Sequence, residues 1–300
     1  MTQPNNPAPL TAGKVPIFDH CFLDRLSFTG DFFKRKIVYD TVPGPFGKPT
    51  KLKQDATVLQ WSTDVGLLER TPAKFPYRWN FKHLLGYFIQ IADRTSPVKP
   101  VRVDCNPSNY STKKAKSVFL DSIRKLTKNL CDIGITRMDF AIDFDIDLSK
   151  FSIISTDPKM QILYLDRSGE MMTHYLGSNS SPVRYRIYNK AKEQGRNDLI
   201  WWRVEVQYRF SKDFKWSQIS PFSDLRIFKL EYQDDWKEKV ILQHLCSHPE
   251  TFGEMKPSTR QRYRRKLKHL ATHGLHEKLQ EIFNRDSPSI IGQLVEILEV

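Results

Sequence analysis

Cysteine is scarce in this chain. Its four cysteines (Cys21, Cys105, Cys131, Cys246) stand far apart in 300 residues, with no CxxC pair. That argues against a disulfide or zinc-ribbon framework and suits the reduced thiols of a cytosolic protein. Long apolar runs are also missing, so no membrane span is expected. Met1 to Lys14 is polar and rich in Pro and Asn, without the apolar stretch of a secretion signal. No internal repeat is visible. The expectation is a cytoplasmic protein with no membrane association.

What is present in quantity is positive charge. Lys and Arg number 47 against 34 Asp and Glu, a net charge of +13, which favours a polyanionic partner such as nucleic acid. A hydrophobic content of 39% and an aromatic content of 12% are enough for a real core. Residues 1–18 read as a flexible tail. Strands are expected at residues 24–30, 36–41, 56–62, 77–81, 135–145, 162–165, 172–176, 183–188 and 201–210; residues 81–92 suit strand or helix equally. A helix is expected over 111–131, with Ala115, Val118, Phe119, Ile123, Leu126 and Leu130 at helical spacing and a Lys/Arg-rich opposite face. Helical patterns dominate after about residue 230, with one long helix over 258–283 kinked at Gly274.

Strands first and helices last predict an α+β fold. The expected architecture is an antiparallel-rich central sheet, or sheets, with packed helices in two pseudo-related halves and a helical C-terminal region. The expected division is a tail (1–18), a catalytic domain (19–215) and a helical DNA-binding region (216–300).

Three strands carry residues suited to chemistry. In the segment Gly134 to Asp145, alternation puts Thr136, Met138, Phe140, Ile142 and Phe144 on one face and Arg137, Asp139, Ala141 and Asp143 on the other. Carboxylates are unusual on so apolar a strand. Trp201 to Phe210 repeats the pattern, with Arg203, Glu205 and Gln207 on its polar face. Val183 to Lys190 sets Arg184, Arg186, Tyr188 and Lys190 together, opposite Val183, Tyr185 and Ile187. If the three strands are neighbours, a tyrosine, cations and acids share a surface.

That is a working set for phosphoryl transfer. Carboxylate oxygens hold Mg²⁺ or Mn²⁺, the ion polarises a phosphate, and Arg186 and Lys190 favour the phenolate of Tyr188. Asp139 and Asp143 lie about 13 Å apart along one strand at ~3.3 Å per residue, so one of them is expected to ligate directly. Asp139 is favoured, with Asp143 as support or alternative. A plain structural role fits the same residues: Arg137 with Asp139 and Arg203 with Glu205 as ion pairs, and Tyr188 as one more aromatic. Nicking requires Tyr188 on the same face as the acids and outside the apolar interior.

These segments resemble the replication initiation factor family of rolling-circle plasmids and filamentous phages (Rep_trans-like). The likeness rests on residues 24–29 (DRLSFT), 136–144 (TRMDFAIDF), 186–194 (RIYNKAKEQ) and 202–207 (WRVEVQ). It implies that Tyr188 nicks and religates DNA through a 5′-phosphotyrosine, with metal ligands at Glu205 and at Asp139 or Asp143. It also implies a homodimer acting at a double-stranded origin that exposes a single-stranded nick region, together with a host helicase. None of the eight histidines forms a His-x-His pair. That suits a family with carboxylates in place of such a pair, and departs from a conventional relaxase. Two other functions stay open: a relaxase of an integrative or mobilisable element, and a non-catalytic DNA-binding regulator with the same fold.

The densest positive segment is Lys256 to His269. Its apolar stripe (Tyr263, Leu267, Leu270, Leu279, Phe283) leaves Arg262, Arg264, Arg265, Lys266 and Lys268 around the exposed side, as a solvated face or a DNA contact. His244, Cys246 and His248, and likewise His269, His273 and His276, are spaced for zinc, though structural histidines are commoner.

Overall fold

The computed structural model describes residues 16–30, 37–43, 49–55, 68–73, 76–92, 101–110, 112–125, 134–155, 160–196, 198–210, 219–229, 235–248, 250–271 and 274–298. The expected tail and the expected strand at 56–62 lie outside or largely outside these residues. The chain divides into two compact units, each taken by itself. The first comprises Leu23–Asp139, Arg209–Lys215 and Ser289–Val300. The second comprises Met1–Phe22, Phe140–Tyr208 and Trp216–Pro288.

The strands that build the first unit are β1 (Cys21–Gly30), β2 (Ile37–Pro43), β3 (Pro49–Asp55), β4 (Leu68–Thr71), β5 (Tyr77–His83), β6 (Phe88–Ala92) and β7 (Val101–Cys105). Helix α1 (Lys113–Arg124) follows, and then β8 (Gly134–Phe144). The sheet order is β8-β1-β7-β6-β5-β4, with β2 and β3 a separate hairpin. The ambiguous segment 81–92 is a turn between two strands. Gly86 adopts a positive φ of 81° there and donates to the His83 carbonyl at 2.9 Å, a conformation that glycine takes without strain. Helix α1 starts where Thr112 accepts from the Ala115 amide at 3.2 Å. It buries Phe119 against Tyr110, ring centroids 4.4 Å apart, and leaves Val118 exposed. Val118 lies at the margin of the apolar stripe, one residue before the face that Phe119 and Ile123 bury.

The second unit contains β9 (Ser152–Ser155), β10 (Gln161–Leu165), β11 (Met171–Leu176), β12 (Val183–Asn189), the short helix α2 (Lys190–Glu193), β13 (Trp202–Arg209) and β14 (Leu225–Phe228). Helices α3 (Trp236–Ser247), α4 (Thr251–Glu254), α5 (Pro257–Ala271) and α6 (His276–Leu298) follow. Its strand order is β10-β11-β12-β13-β8, with β9 paired to β14. The two units therefore share a plan. In each, the first strand neighbours the last, and the strands between return as an antiparallel meander. A bidentate Arg–Asp pair ties first to last strand in both: Arg25 to Asp104 at 2.6 and 2.8 Å, and Arg203 to Asp143 at 2.7 and 2.9 Å. The α+β fold with pseudo-related halves is thus real in topology, although no sequence repeat marks it.

The expected single helix over 258–283 is two helices. Between them the Leu275 amide donates to the Ile227 carbonyl of β14 at 2.7 Å. A Cβ on Gly274 would lie 2.3 Å from that same oxygen, so only glycine lets the chain approach so closely. Gly274→Ala should push the connection off β14 and cost on the order of 1–3 kcal/mol in stability, read from the denaturation midpoint. Helix α6 continues through Pro288, which has no amide hydrogen for the Asn284 carbonyl. The Ser287 hydroxyl donates to that oxygen instead, at 3.1 Å. Among the described residues no helix is long and apolar enough to cross a membrane. Three of the cysteines, Cys21, Cys105 and Cys246, are buried free thiols.

Candidate active site and nucleic-acid interface

The site forms where β12 runs into α2. Asn189 ends the strand, and its side chain accepts from the Lys192 amide at 2.9 Å, capping the helix. This turn sets Lys190 and Glu193 beside Tyr188. The pairing of β12 with β13 places Tyr188 opposite Arg203 and Arg186 opposite Glu205. Residues directly opposite in a sheet project from the same face, so Tyr188, Arg186, Arg203 and Glu205 share one surface. Tyr185 and Ile187 fill the other face and are fully buried.

Tyr188 lies beneath a layer of cations. The Arg186 guanidinium sits 3.7 Å from its ring centroid and the Lys190 ammonium 5.5 Å away. The residue is only 3% exposed, buried with the two cations against its ring. Burial pushes the phenol well above its ordinary pKa; Glu205 and Glu193 add to this, while Arg203 and Arg186 oppose it. The phenol is therefore firmly protonated at neutral pH.

The cations are themselves anchored. Arg186 bonds Glu193 at 2.9 Å and approaches Glu205 at 3.9 Å, and Lys190 also bonds Glu193. Burial alone would raise the Glu193 carboxyl, but Lys190 and Arg186 outweigh it and hold it below its usual range. Glu193 thus joins Tyr188, Arg186, Lys190 and Glu205. Sequence reasoning gave it no role, and its signal was its place just after the tyrosine, in the turn that Asn189 caps.

The two aspartates fare differently. Asp143 belongs to the second unit, is 3% exposed, and is held bidentately by Arg203, itself 7% exposed. Asp143 is thus a partner of Arg203 that the expected pairing of Arg203 with Glu205 did not include. Asp139 belongs to the first unit, where both of its oxygens accept from Arg137, at 2.7 Å for the Nε contact. Among the described residues no group of three or more His, Cys, Asp or Glu converges as a ready metal cage. His244 and His248 stack on each other at 4.6 Å.

The basic helix α5 carries no acidic residue. Tyr263 and Leu267 anchor it to Phe228, Leu242, Leu245 and Cys246. Arg262, Arg264, Arg265 and Lys268 are exposed, and Lys266 is half-buried against Glu238. The Arg262 guanidinium lies 4.8 Å over Tyr263 and Arg264 lies 5.5 Å over Phe252, so both are partly ordered along the helix.

No protein-family model matches the chain. It is similar to a replication initiation protein of Staphylococcus aureus, 26% identical over 206 residues that cover 65% of this chain and 62% of that protein. A second Staphylococcus aureus protein of the same description is 27% identical over 179 residues, covering 57% of this chain and 55% of that one. The match thus spans about three fifths of the length of these relatives. A rolling circle replication initiator protein from Geobacillus stearothermophilus overlays 63% of this chain and 74% of that one at 15% identity, with a TM-score of 0.37, too slight a likeness to bear on function. The relatives that the chain resembles in sequence are thus proteins named for replication initiation.

Proposed function

We propose that this chain initiates rolling-circle replication by nicking and religating DNA at an origin, with Tyr188 as nucleophile. The observation that carries the reading is the convergence of Tyr188, Arg186, Lys190 and Glu205 on one sheet face. The Tyr188 oxygen attacks a DNA phosphorus and the bond to the 3′ oxygen breaks. The products are a 5′-phosphotyrosine and a free 3′-hydroxyl, so the bond energy is kept for rejoining. The phenolic proton leaves to solvent before attack, and solvent protonates the departing 3′ oxygen. Arg186 and Lys190 exchange Glu193 for the phosphate and stabilise its developing charge.

The donor set suits a hard cation. Glu205, with Asp143 of the same unit, offers only carboxylate oxygens, and Mg²⁺ or Mn²⁺ needs just one or two of these beside water and phosphate. When bound, the ion polarises the scissile phosphate. Glu205→Gln should remove metal-dependent cleavage and weaken Mn²⁺ binding, followed by its electron paramagnetic resonance signal, with little change in DNA affinity. Unchanged Mn²⁺ binding excludes Glu205 as a ligand.

Helix α5 supplies duplex affinity and part of origin choice through Arg262, Arg264, Arg265, Lys266 and Lys268. Converting Arg264, Arg265 and Lys268 to Gln should lower the slope of log affinity against log salt by about 0.9 for each phosphate that is no longer neutralised. A homodimer at a double-stranded origin, working with a host helicase, completes this reading.

Supercoiled origin plasmid with Mn²⁺ tests it: open circles and a protein–DNA adduct are expected. The deep burial of Tyr188 favours a second reading, a DNA-binding regulator that cuts nothing, for which the same plasmid is bound and stays supercoiled.

A further inference from the structure

The face that holds Tyr188 continues outward to the last strand of its sheet, β10. Strand register sets two rows across it. One row runs Tyr164, Thr173, Tyr188, Arg203, and the next runs Ile162, Tyr175, Arg186, Glu205. Tyr164 is 53% exposed on β10 and meets Tyr175 edge-on, ring centroids 6.0 Å apart. The Arg184 guanidinium lies 4.1 Å over Tyr175, with that of Arg186 5.9 Å away. At a strand spacing of about 4.8 Å, Tyr164 stands roughly 10 Å from Tyr188, backbone to backbone.

We infer that Tyr164 and Tyr175, flanked by Arg184 and Arg186, form a stacking platform for the single-stranded DNA that flanks the scissile phosphate. The inference rests on the nicking reading and names the part of the substrate that this face holds. Tyr164 offers an exposed ring on the edge strand, beside a tyrosine over which two guanidinium groups lie. Unpaired bases have free π-faces for Tyr164 and phosphates for the arginines, whereas duplex bases are already stacked on one another. Charge points the same way. Along β12 and its turn four cations, Arg184, Arg186, Lys190 and Lys192, stand against the two acids that three of them bond, Glu193 and Asp166.

The test is fluorescence anisotropy of a fluorescein-labelled oligothymidylate with the full chain and no divalent metal, beside a duplex of equal length. Tyr164→Ala should weaken single-strand binding about tenfold and leave duplex binding as it was. Tyr164→Phe, which keeps the ring, should keep the affinity. Arg184→Gln should lower the single-strand salt slope by about 0.7. Equal single-strand affinity in Tyr164→Ala, or a parallel loss for duplex, overturns the platform. So does a change of oligomeric state with affinity intact, which makes this face a contact between copies. Oligothymidylate binding that depends on Tyr164 in a protein that never forms an adduct keeps the platform and removes the nicking reading. Adduct formation with Tyr164-independent binding does the reverse.

Discussion

Tyr188→Phe should abolish the open-circle product and the covalent adduct, a loss on the order of a thousandfold or more, while origin binding stays at the wild-type level. The substitution removes one oxygen and leaves the ring beneath Arg186 at 3.7 Å and within reach of Lys190. Phenylalanine presents the same π-face to those cations, so the clamp of Arg186, Lys190 and Glu193 stays in place. A loss of cleavage therefore reports on the missing nucleophile and not on a collapsed site. Cleavage at the wild-type rate by Tyr188→Phe moves the nucleophile elsewhere.

The same phenol sets the pH dependence. An ordinary tyrosine, with a pKa near ~10, is about one part in a thousand phenolate at pH 7, and burial lowers that fraction further here. The nicking rate should therefore rise close to tenfold per pH unit through the neutral and mildly alkaline range, without a plateau below about pH 10. A plateau near neutrality means that something lowers the phenol's pKa in the complex. For stability the sign is opposite. The folded chain keeps the Tyr188 proton longer than the unfolded chain does, so above about pH 10 deprotonation favours unfolding, and below it the group contributes no pH dependence.

Much of the second unit was legible because its strands alternate. Alternation put Arg186 and Tyr188 opposite Tyr185 and Ile187, and Arg203 and Glu205 opposite Val204 and Val206, as the structure has them. It could not give partners. That Arg203 meets Asp143 depends on which strand lies beside β13, and alternation along one strand does not reveal a pair across strands. Glu193 was overlooked for a related reason: it comes near Tyr188 through a capped turn, and periodicity does not describe turns. β7 alternates Val101, Val103 and Cys105 with Arg102 and Asp104, but at five residues it is too short for that alternation to stand out. Gly274 was legible as a kink, but its widening into a full break was not, because the cause is a carbonyl on β14, far away in the sequence.

The other large effect should come from Asp143, and it separates two roles for that carboxylate. Both of its oxygens accept from Arg203, and the pair is nearly excluded from water. Arg203 also lies 4.9 Å over Phe22, so the guanidinium has no easy route to solvent. Asp143→Ala removes the carboxylate that holds the buried Arg203 bidentately, and breaking such a pair costs about 3–5 kcal/mol, a large share of the ~5–15 kcal/mol that holds a typical domain. Exchanging the whole pair for apolar residues, Asp143→Leu with Arg203→Met, should restore much of that loss, because both charges are then gone. The denaturation midpoints of the single and double variants form the check. If Asp143 is purely a strand tie, the double variant regains stability and binds Mn²⁺ as the wild type does. If Asp143 instead ligates the ion, the double variant regains its fold but stays defective in Mn²⁺ binding, and the direct ligand beside Glu205 is then Asp143 and not Asp139. A single variant as stable as the wild type contradicts the buried pair itself.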